Sequence, residues 1–330
     1  MQRSVPRVLL TRRLTPLAQQ RLENDSRIQL VQWTQDCAIP PATFKSMISG
    51  CDGAVVLLTD KVNAEVLEAA GPQLKVVSTV SVGYDHINVA DLKRVRPDLK
   101  IGITPDVLTD ATAELTIGLL LATARRFKEC LDVAKSGQWG DWNPSFLTGT
   151  QISGKSIGML GFGRIGQSVA SRLKGFNPSS ISYFSPSAKP EAETAIGAHR
   201  VTDLNGFLGA SDIVIVTCKL TDETLGLFNK DTFASMKPGS LFLNTARGGI
   251  VHHMDLYDAL ANGVIGSAGL DVTDPEPFPA DHPLLTLPNC LILPHVGSAT
   301  METREAMADL AVSNVLAGVF GQELPASIKL

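Results

Sequence analysis

SIGMLGFGRIGQSVASRLKGF, residues 156–176, decides how the rest of the chain is read. The strand-forming run SIGML leads directly into Gly161, Phe162, Gly163, Arg164, Ile165 and Gly166, and the helical stretch QSVASRLKGF follows. Glycines spaced GxGxxG are a weak signal alone, but between a strand and a helix they have the context of a dinucleotide-binding turn. The three glycines then serve different ends. Gly161 makes the tight turn, Gly163 lets a pyrophosphate approach the backbone, and Gly166 lets the helix pack close to the strand. The N–H groups of the first helical turn, around Arg164 and Ile165, supply an anion site.

Downstream, SYFSPSAKP at 182–190 lacks something such a site usually has. An NAD site places an acid on the adenosine ribose at the end of the second strand, yet this place holds Ser185, Pro186 and Ser187. A carboxylate there would repel a 2′-phosphate. Two serine hydroxyls, with charge from Lys189 and Lys219, suit one instead. The expected cofactor is therefore NADP(H), with NAD(H) possible.

Farther out, RVLLT at 7–11, GAVVLLT at 53–59, KVVSTVSV at 75–82 and KIGIT at 100–104 form one series of apolar strands separated by helix-length segments. A second series comprises SIGMLG, SISYF, DIVIVT, SLFLNT, SAGLDV and CLILPH. Continuous apolar strands of this kind belong to parallel sheets covered on both faces, so the chain is α/β with two units. Between them, residues 107–137 read as one helix capped by Thr109 or Asp110 and stopped at Gly137. The following loop carries Trp139, Trp142 and Phe146 in a chain only 5% aromatic. Such a cluster serves a subunit interface or folds back on its own unit. METREAMADLAVSNVLAGVF, at 301–320, reads as a helix packed on an earlier sheet.

A length of 330 residues, 44% hydrophobic and 19% charged, suits two globular domains. A net charge of −4 without a basic stripe argues against nucleic acid and anionic membranes as partners. Five scattered cysteines without a CxxC pair fit a reducing compartment, and a cytoplasmic location is expected. The apolar run LTIGLLLATA, 115–124, is about half the ~20 residues needed to span a bilayer. The opening MQRSVPRVLLTRR reads as a first strand, with a transit peptide as the alternative, and the ending SIKL is a near miss to a peroxisomal address.

Three later strands end in chemically useful side chains: Arg247 in NTARGG, Asp271 and then Glu276 in GLDVTDPEP, His295 and Ser298 in LPHVGSAT. Strand carboxyl ends converge on the ligand crevice of a doubly wound sheet. Arginine is a two-pronged donor for a carboxylate, and a neighbouring glutamate favours the protonated, donating form of a histidine. The set suits hydride transfer to a 2-oxo acid, with Arg247 on the carboxylate, His295 as general acid and Glu276 orienting its ring. Of the other histidines, His86, His252, His253 and His282 receive no role, and no metal is expected; His252 and His253 are read as facing solvent.

With VSVGYDH at 80–86, TPDVLTDATAEL at 104–115, GFGRIG, NTARGG, GLDVTDPEP, HPLL and LPHVGSAT together, the chain resembles the D-isomer-specific 2-hydroxyacid dehydrogenase family over its whole length. The resemblance is strongest to members that reduce glyoxylate to glycolate and hydroxypyruvate to D-glycerate. It implies a discontinuous flavodoxin-like substrate domain, 1–106 plus 299–330, around a Rossmann cofactor domain, 107–298. It implies backbone N–H groups of Val82 and Gly83 on the substrate carboxylate, with Ser298 and Trp142 lining the substrate site. Thr245, Asp271 and Gly297 are expected at the cofactor, and a homodimer through 107–150. The sequence departs from the pattern in lacking arginine directly after the second strand of the cofactor domain, which weakens the expected hold on a 2′-phosphate. Two rival readings remain: an NAD-dependent dehydrogenase for another D-2-hydroxy acid, and a dinucleotide-sensing corepressor on the same fold.

Overall fold

The computed structural model describes residues 5–328; Met1 to Ser4 of the basic opening and the last two residues of the SIKL ending lie outside them. The chain divides into two compact units. One runs through Leu108 and resumes at Ala299, and the other is Thr109–Ser298.

In the first unit the order is β1 (Arg7–Leu10), α1 (Pro16–Glu23), β2 (Gln29–Gln32), α2 (Pro41–Ile48), β3 (Gly53–Val56), α3 (Ala64–Ala70), β4 (Val76–Thr79), α4 (Val89–Val95) and β5 (Lys100–Gly102). The second contains α5 (Thr109–Ala124), α6 (Phe127–Ser136), β6 (Ser156–Leu160), α7 (Arg164–Leu173), β7 (Ser180–Phe184), α8 (Pro190–Ile196), β8 (Ala198–Val201) and α9 (Leu204–Ala210). It continues with β9 (Ile213–Val216), α10 (Lys230–Ala234), β10 (Leu241–Asn244), α11 (His253–Ala261), β11 (Ser267–Leu270) and β12 (Cys290–Ile292); α12 (Met301–Val319) returns to the first unit.

Both sheets are parallel throughout. The five-stranded sheet has the order β2-β1-β3-β4-β5, the flavodoxin-like arrangement. The seven-stranded sheet runs β12-β11-β10-β9-β6-β7-β8, the Rossmann order with one further strand. The apolar runs become strands because both faces are covered. Val8, Leu9, Val55 and Val77 are wholly buried in one sheet, and Ile157, Met159, Val214 and Ile215 in the other. The C-terminal helix α12 packs on β3 and β4, as read. Among the described residues no helix is long and apolar enough to cross a membrane.

Two details differ from the sequence reading. The single helix expected over 107–137 is two, because Arg126 adopts left-handed φ of 56° between α5 and α6. The break is held where Thr150 N–H donates to the Ala124 carbonyl at 2.8 Å, closing the end of α5. Thr109 and Asp110 sit inside the first turn of α5, where Asp110 accepts from Arg172 at 2.9 Å on α7. Gly137 does terminate α6, at φ 71°. His253 does not face solvent: it is buried beside Phe278, ring centroids 5.3 Å apart, and burial pushes its pKa down to about 4.

Candidate active site

The glycine turn is built by contact as much as by conformation. Gly161 has φ 90°, which side-chain-bearing residues rarely adopt, and a Cβ there would lie 2.6 Å from the Cys218 nitrogen. A Cβ on Gly166 would lie 2.7 Å from the Gly161 carbonyl oxygen, so α7 packs close to β6. At Gly163, by contrast, a Cβ would meet nothing within 4 Å. Among the described residues no side chain caps the helix at Gly163, and the N-terminus of a helix suits an anion. Phe162 leaves the turn to stack on Tyr183 of β7, centroids 4.2 Å apart, a contact worth about 0.5–1.5 kcal/mol beyond its buried area. These residues fit the pyrophosphate of a dinucleotide.

At the end of β7, Ser185 is half-buried and Pro186 and Ser187 are exposed. The loop is tied at both ends. Arg200 of β8, paired in register with Tyr183, donates from Nε to the Ser185 carbonyl at 3.0 Å and from Nη2 to the Pro186 carbonyl at 2.6 Å. Lys189 N–H donates to the Tyr183 hydroxyl at 2.8 Å, and that hydroxyl in turn donates to Glu193. Lys219 is exposed beyond β9, its carbonyl accepting from the Thr224 hydroxyl at 2.8 Å. Arg200 escaped the sequence reading because the strand that carries it did; a basic residue directly before VTDL was the available signal.

The loops after β10, β11 and β12 gather the other candidates within the same unit. Asn244 Nδ2 donates to the Arg247 carbonyl at 2.8 Å while Ala246 N–H donates to Asn244 Oδ1 at 3.0 Å, fixing the turn that presents Arg247. Arg247 Nη1 donates to the Ala246 carbonyl at 2.9 Å. Next in sequence, a Cβ on Gly248 would fall 2.0 Å from the Thr273 carbonyl carbon. Only glycine lets these two backbones touch, and this contact brings the Arg247 turn against the loop that carries Glu276. Thr245 is buried, its hydroxyl 2.9 Å from that of Thr116.

His295 Nδ1 lies 2.8 Å from Glu276 Oε2, and Thr273 N–H donates to Glu276 Oε1 at 3.0 Å. Burial pushes the Glu276 carboxyl up, but the His295 hydrogen bond and charge, the Thr273 N–H and the nearby charge of Arg247 outweigh it and hold it below the ordinary value. An ionised Glu276 assigns the Nδ1 proton to the histidine and leaves Nε2 to face outward chemistry. The pair is partly desolvated and still reachable, with side chains 27% and 36% exposed for His295 and Glu276.

Asp271 holds this arrangement from beneath. It is buried, and its two carboxylate oxygens accept from the N–H groups of Val296 and Gly297, each at 2.8 Å. Its carbonyl accepts from His295 N–H at 2.8 Å. Burial raises the Asp271 carboxyl above its usual range, opposed by those two N–H bonds. Ser298, half-buried, lies three residues beyond the histidine.

In the other unit, Val82 and Gly83 follow β4, where the Ser81 hydroxyl donates to the Gly83 carbonyl at 2.7 Å. Among the described residues, neither the Val82 nor the Gly83 N–H donates to another protein group. His86 Nε2 lies 2.9 Å from the Thr79 hydroxyl and orders this loop. Trp139 and Trp142 are 74% and 86% exposed, and Phe127 and Leu131 of α6 are exposed with them, so the aromatic loop does not fold back into a core.

Residues 117–297 match the model of the D-isomer specific 2-hydroxyacid dehydrogenase, NAD binding domain. The chain belongs to the D-isomer specific 2-hydroxyacid dehydrogenase family. It is 44% identical over 324 residues to the glyoxylate reductase/hydroxypyruvate reductase of Homo sapiens, covering 98% of each chain. Among solved structures of this fold, a Thermus thermophilus protein superposes with a TM-score of 0.89 at 39% identity, covering 98% of this chain and 100% of that one. An NADPH-dependent glyoxylate/hydroxypyruvate reductase from Sinorhizobium meliloti, solved with NADP and malonate, gives a TM-score of 0.85 at 32% identity and covers 98% and 97%. The matched residues lie in the seven-stranded unit and include the glycine turn.

Proposed function

We propose that this protein is an NADPH-dependent reductase of small 2-oxo acids, taking hydroxypyruvate to D-glycerate and glyoxylate to glycolate. The observation that carries the proposal is the 2.8 Å bond between His295 Nδ1 and Glu276 Oε2 beside Arg247. The names of the human and Sinorhizobium meliloti relatives support the substrate class. The bound nicotinamide supplies a hydride to the carbonyl carbon.

Arg247 holds the substrate carboxylate with its planar donors and polarises the carbonyl. Val82 and Gly83 carry backbone N–H groups suited to a carboxylate, which makes residues 1–106 and 299–330 the substrate-binding domain. Glu276 fixes the ring of His295, whose Nε2 gives a proton to the oxygen that becomes the hydroxyl. The balance is one hydride and one proton added across the carbonyl, with NADP⁺ released. Gly161, Gly163, Arg164, Ile165 and Gly166 would hold the cofactor, together with Thr245, Asp271 and Gly297. Ser185, Pro186, Ser187, Lys189 and Lys219 form the ribose end.

The exposed aromatic loop and α6 are the surface for a second copy, and Trp142 reaches the neighbouring substrate site from it. Sedimentation of the purified protein should give a dimer that Trp142→Ala weakens, with a change in substrate range; a monomer unaffected by the substitution refutes this part. The decisive assay follows NADPH and NADH oxidation with hydroxypyruvate, glyoxylate and pyruvate at matched concentrations. Fast NADPH turnover on the first two is expected. Preferred NADH turnover on another oxo acid would replace the reading with an NAD-dependent dehydrogenase, and no turnover with either would favour a dinucleotide-sensing protein.

A further inference from the structure

The ribose loop carries no arginine of its own, yet an arginine stands behind it. Arg200 lies at the exposed edge of the seven-stranded sheet, on β8, and its side chain reaches across to the end of β7. Two of its five N–H donors are used on the carbonyls of Ser185 and Pro186, which leaves three, all on the terminal nitrogens. Among the described residues no carboxylate pairs with it. Glu193 of α8 is engaged by the Tyr183 hydroxyl.

The same two bonds orient the loop. The Pro186–Ser187 peptide is trans, so with the Pro186 carbonyl turned toward Arg200 the Ser187 N–H points the opposite way. That N–H has no acceptor within the described protein, and the hydroxyls of Ser185 and Ser187 make no hydrogen bond there either. At the back, the bond from Lys189 N–H to the Tyr183 hydroxyl stops the loop from lifting away. A single guanidinium therefore does two things: it turns the loop's donors outward and places a positive charge directly behind them, in a half-buried position where the charge is less screened than on an exposed lysine.

We propose that Arg200 is the residue of this chain that selects NADPH over NADH, supplying to the 2′-phosphate the positive charge that the loop after β7 lacks. This rests on the reading of the protein as NADPH-dependent. It moves the discriminating group from the loop to the neighbouring strand, and gives Lys189 and Lys219, whose side chains make no hydrogen bond or ion pair among the described residues, a lesser part.

The test is binding, measured by titration calorimetry of the purified protein with NADPH, NADH and 2′,5′-ADP, for wild type, Arg200→Gln and Arg200→Lys. Wild type should bind NADPH more tightly than NADH. Arg200→Gln should weaken NADPH and 2′,5′-ADP by about tenfold or more and NADH by less than about twofold, while Arg200→Lys, which keeps the charge without the fork, should fall between. A wild type without preference between the two dinucleotides would overturn both the cofactor reading and this assignment. A wild type that prefers NADPH, with the preference intact in Arg200→Gln, would overturn the assignment alone. Equal weakening of NADPH and NADH in both variants would also overturn it, because Arg200 would then merely shape the loop.

Discussion

At the β10–β12 end of the seven-stranded sheet the functional groups are side chains that act on one another: His295 bonds Glu276, and the charge of Arg247 reaches both that carboxylate and the loop around it. At the β7–β8 end they are a loop of backbone and serine hydroxyls, held from behind by Arg200 and Tyr183. On the proposed function the first region does chemistry and needs the identity of each side chain, whereas the second recognises a ligand's charge and needs an orientation, which a residue on another strand can provide. Loss of one group should therefore stop turnover at the first end and only redirect binding at the second.

His295→Ala makes the sharpest break. Reduction should fall by roughly 10²- to 10⁴-fold, the usual contribution of a positioned general acid, while the affinity for NADPH stays within about twofold. Stopped-flow turnover and a binding titration on the same preparation check this; loss of both together would show that the histidine is structural. The pH profile belongs to the same test. Glu276 is held below the ordinary glutamate value of 4.5, so it remains an ionised partner as pH falls through that value. The stabilisation from its pairing is present above the ordinary value and is lost only as pH falls through the lower, folded one. An NMR titration in which the Glu276 carboxyl takes up its proton at or above that ordinary value would argue against this pairing.

A smaller effect is expected from Ser185→Asp. A carboxylate at the end of β7 would repel a 2′-phosphate, and like charges about 4 Å apart near a surface cost on the order of 1–4 kcal/mol. NADPH should bind on the order of ten- to a hundredfold more weakly and NADH at least as well as before. Unchanged affinities for both would mean that the ribose does not lie at this loop, and the contrast between the two ends would lose its second term.

The same contrast explains what was legible in the sequence. Strands buried on both faces announce themselves as unbroken apolar runs, which is why β6, β9 and β10 could be read directly. QLVQ of β2 and AHRV of β8 are each an edge strand, with Gln29 and His199 exposed, and carry no such run. Arg247, Glu276 and His295 were legible because each follows a readable strand and has a chemistry of its own. Arg200 was not, because its strand was silent and its meaning depends on a pairing with Tyr183 that only the folded sheet supplies. The helix break at Arg126 was equally hidden, since the residue that enforces it, Gly149, lies 23 positions on and would place a Cβ 2.3 Å from the Ala124 carbonyl oxygen.

The three bonds from Asp271 to His295, Val296 and Gly297 all engage main-chain N–H groups. The loop's shape is consequently indifferent to which side chain position 295 carries, provided that residue tolerates a φ of 54°. A lineage descended from this chain can discard the reaction in one substitution and still inherit an intact, cofactor-loaded scaffold. Catalytic silence and loss of the fold are separable events here, and the first is the cheaper one to reach.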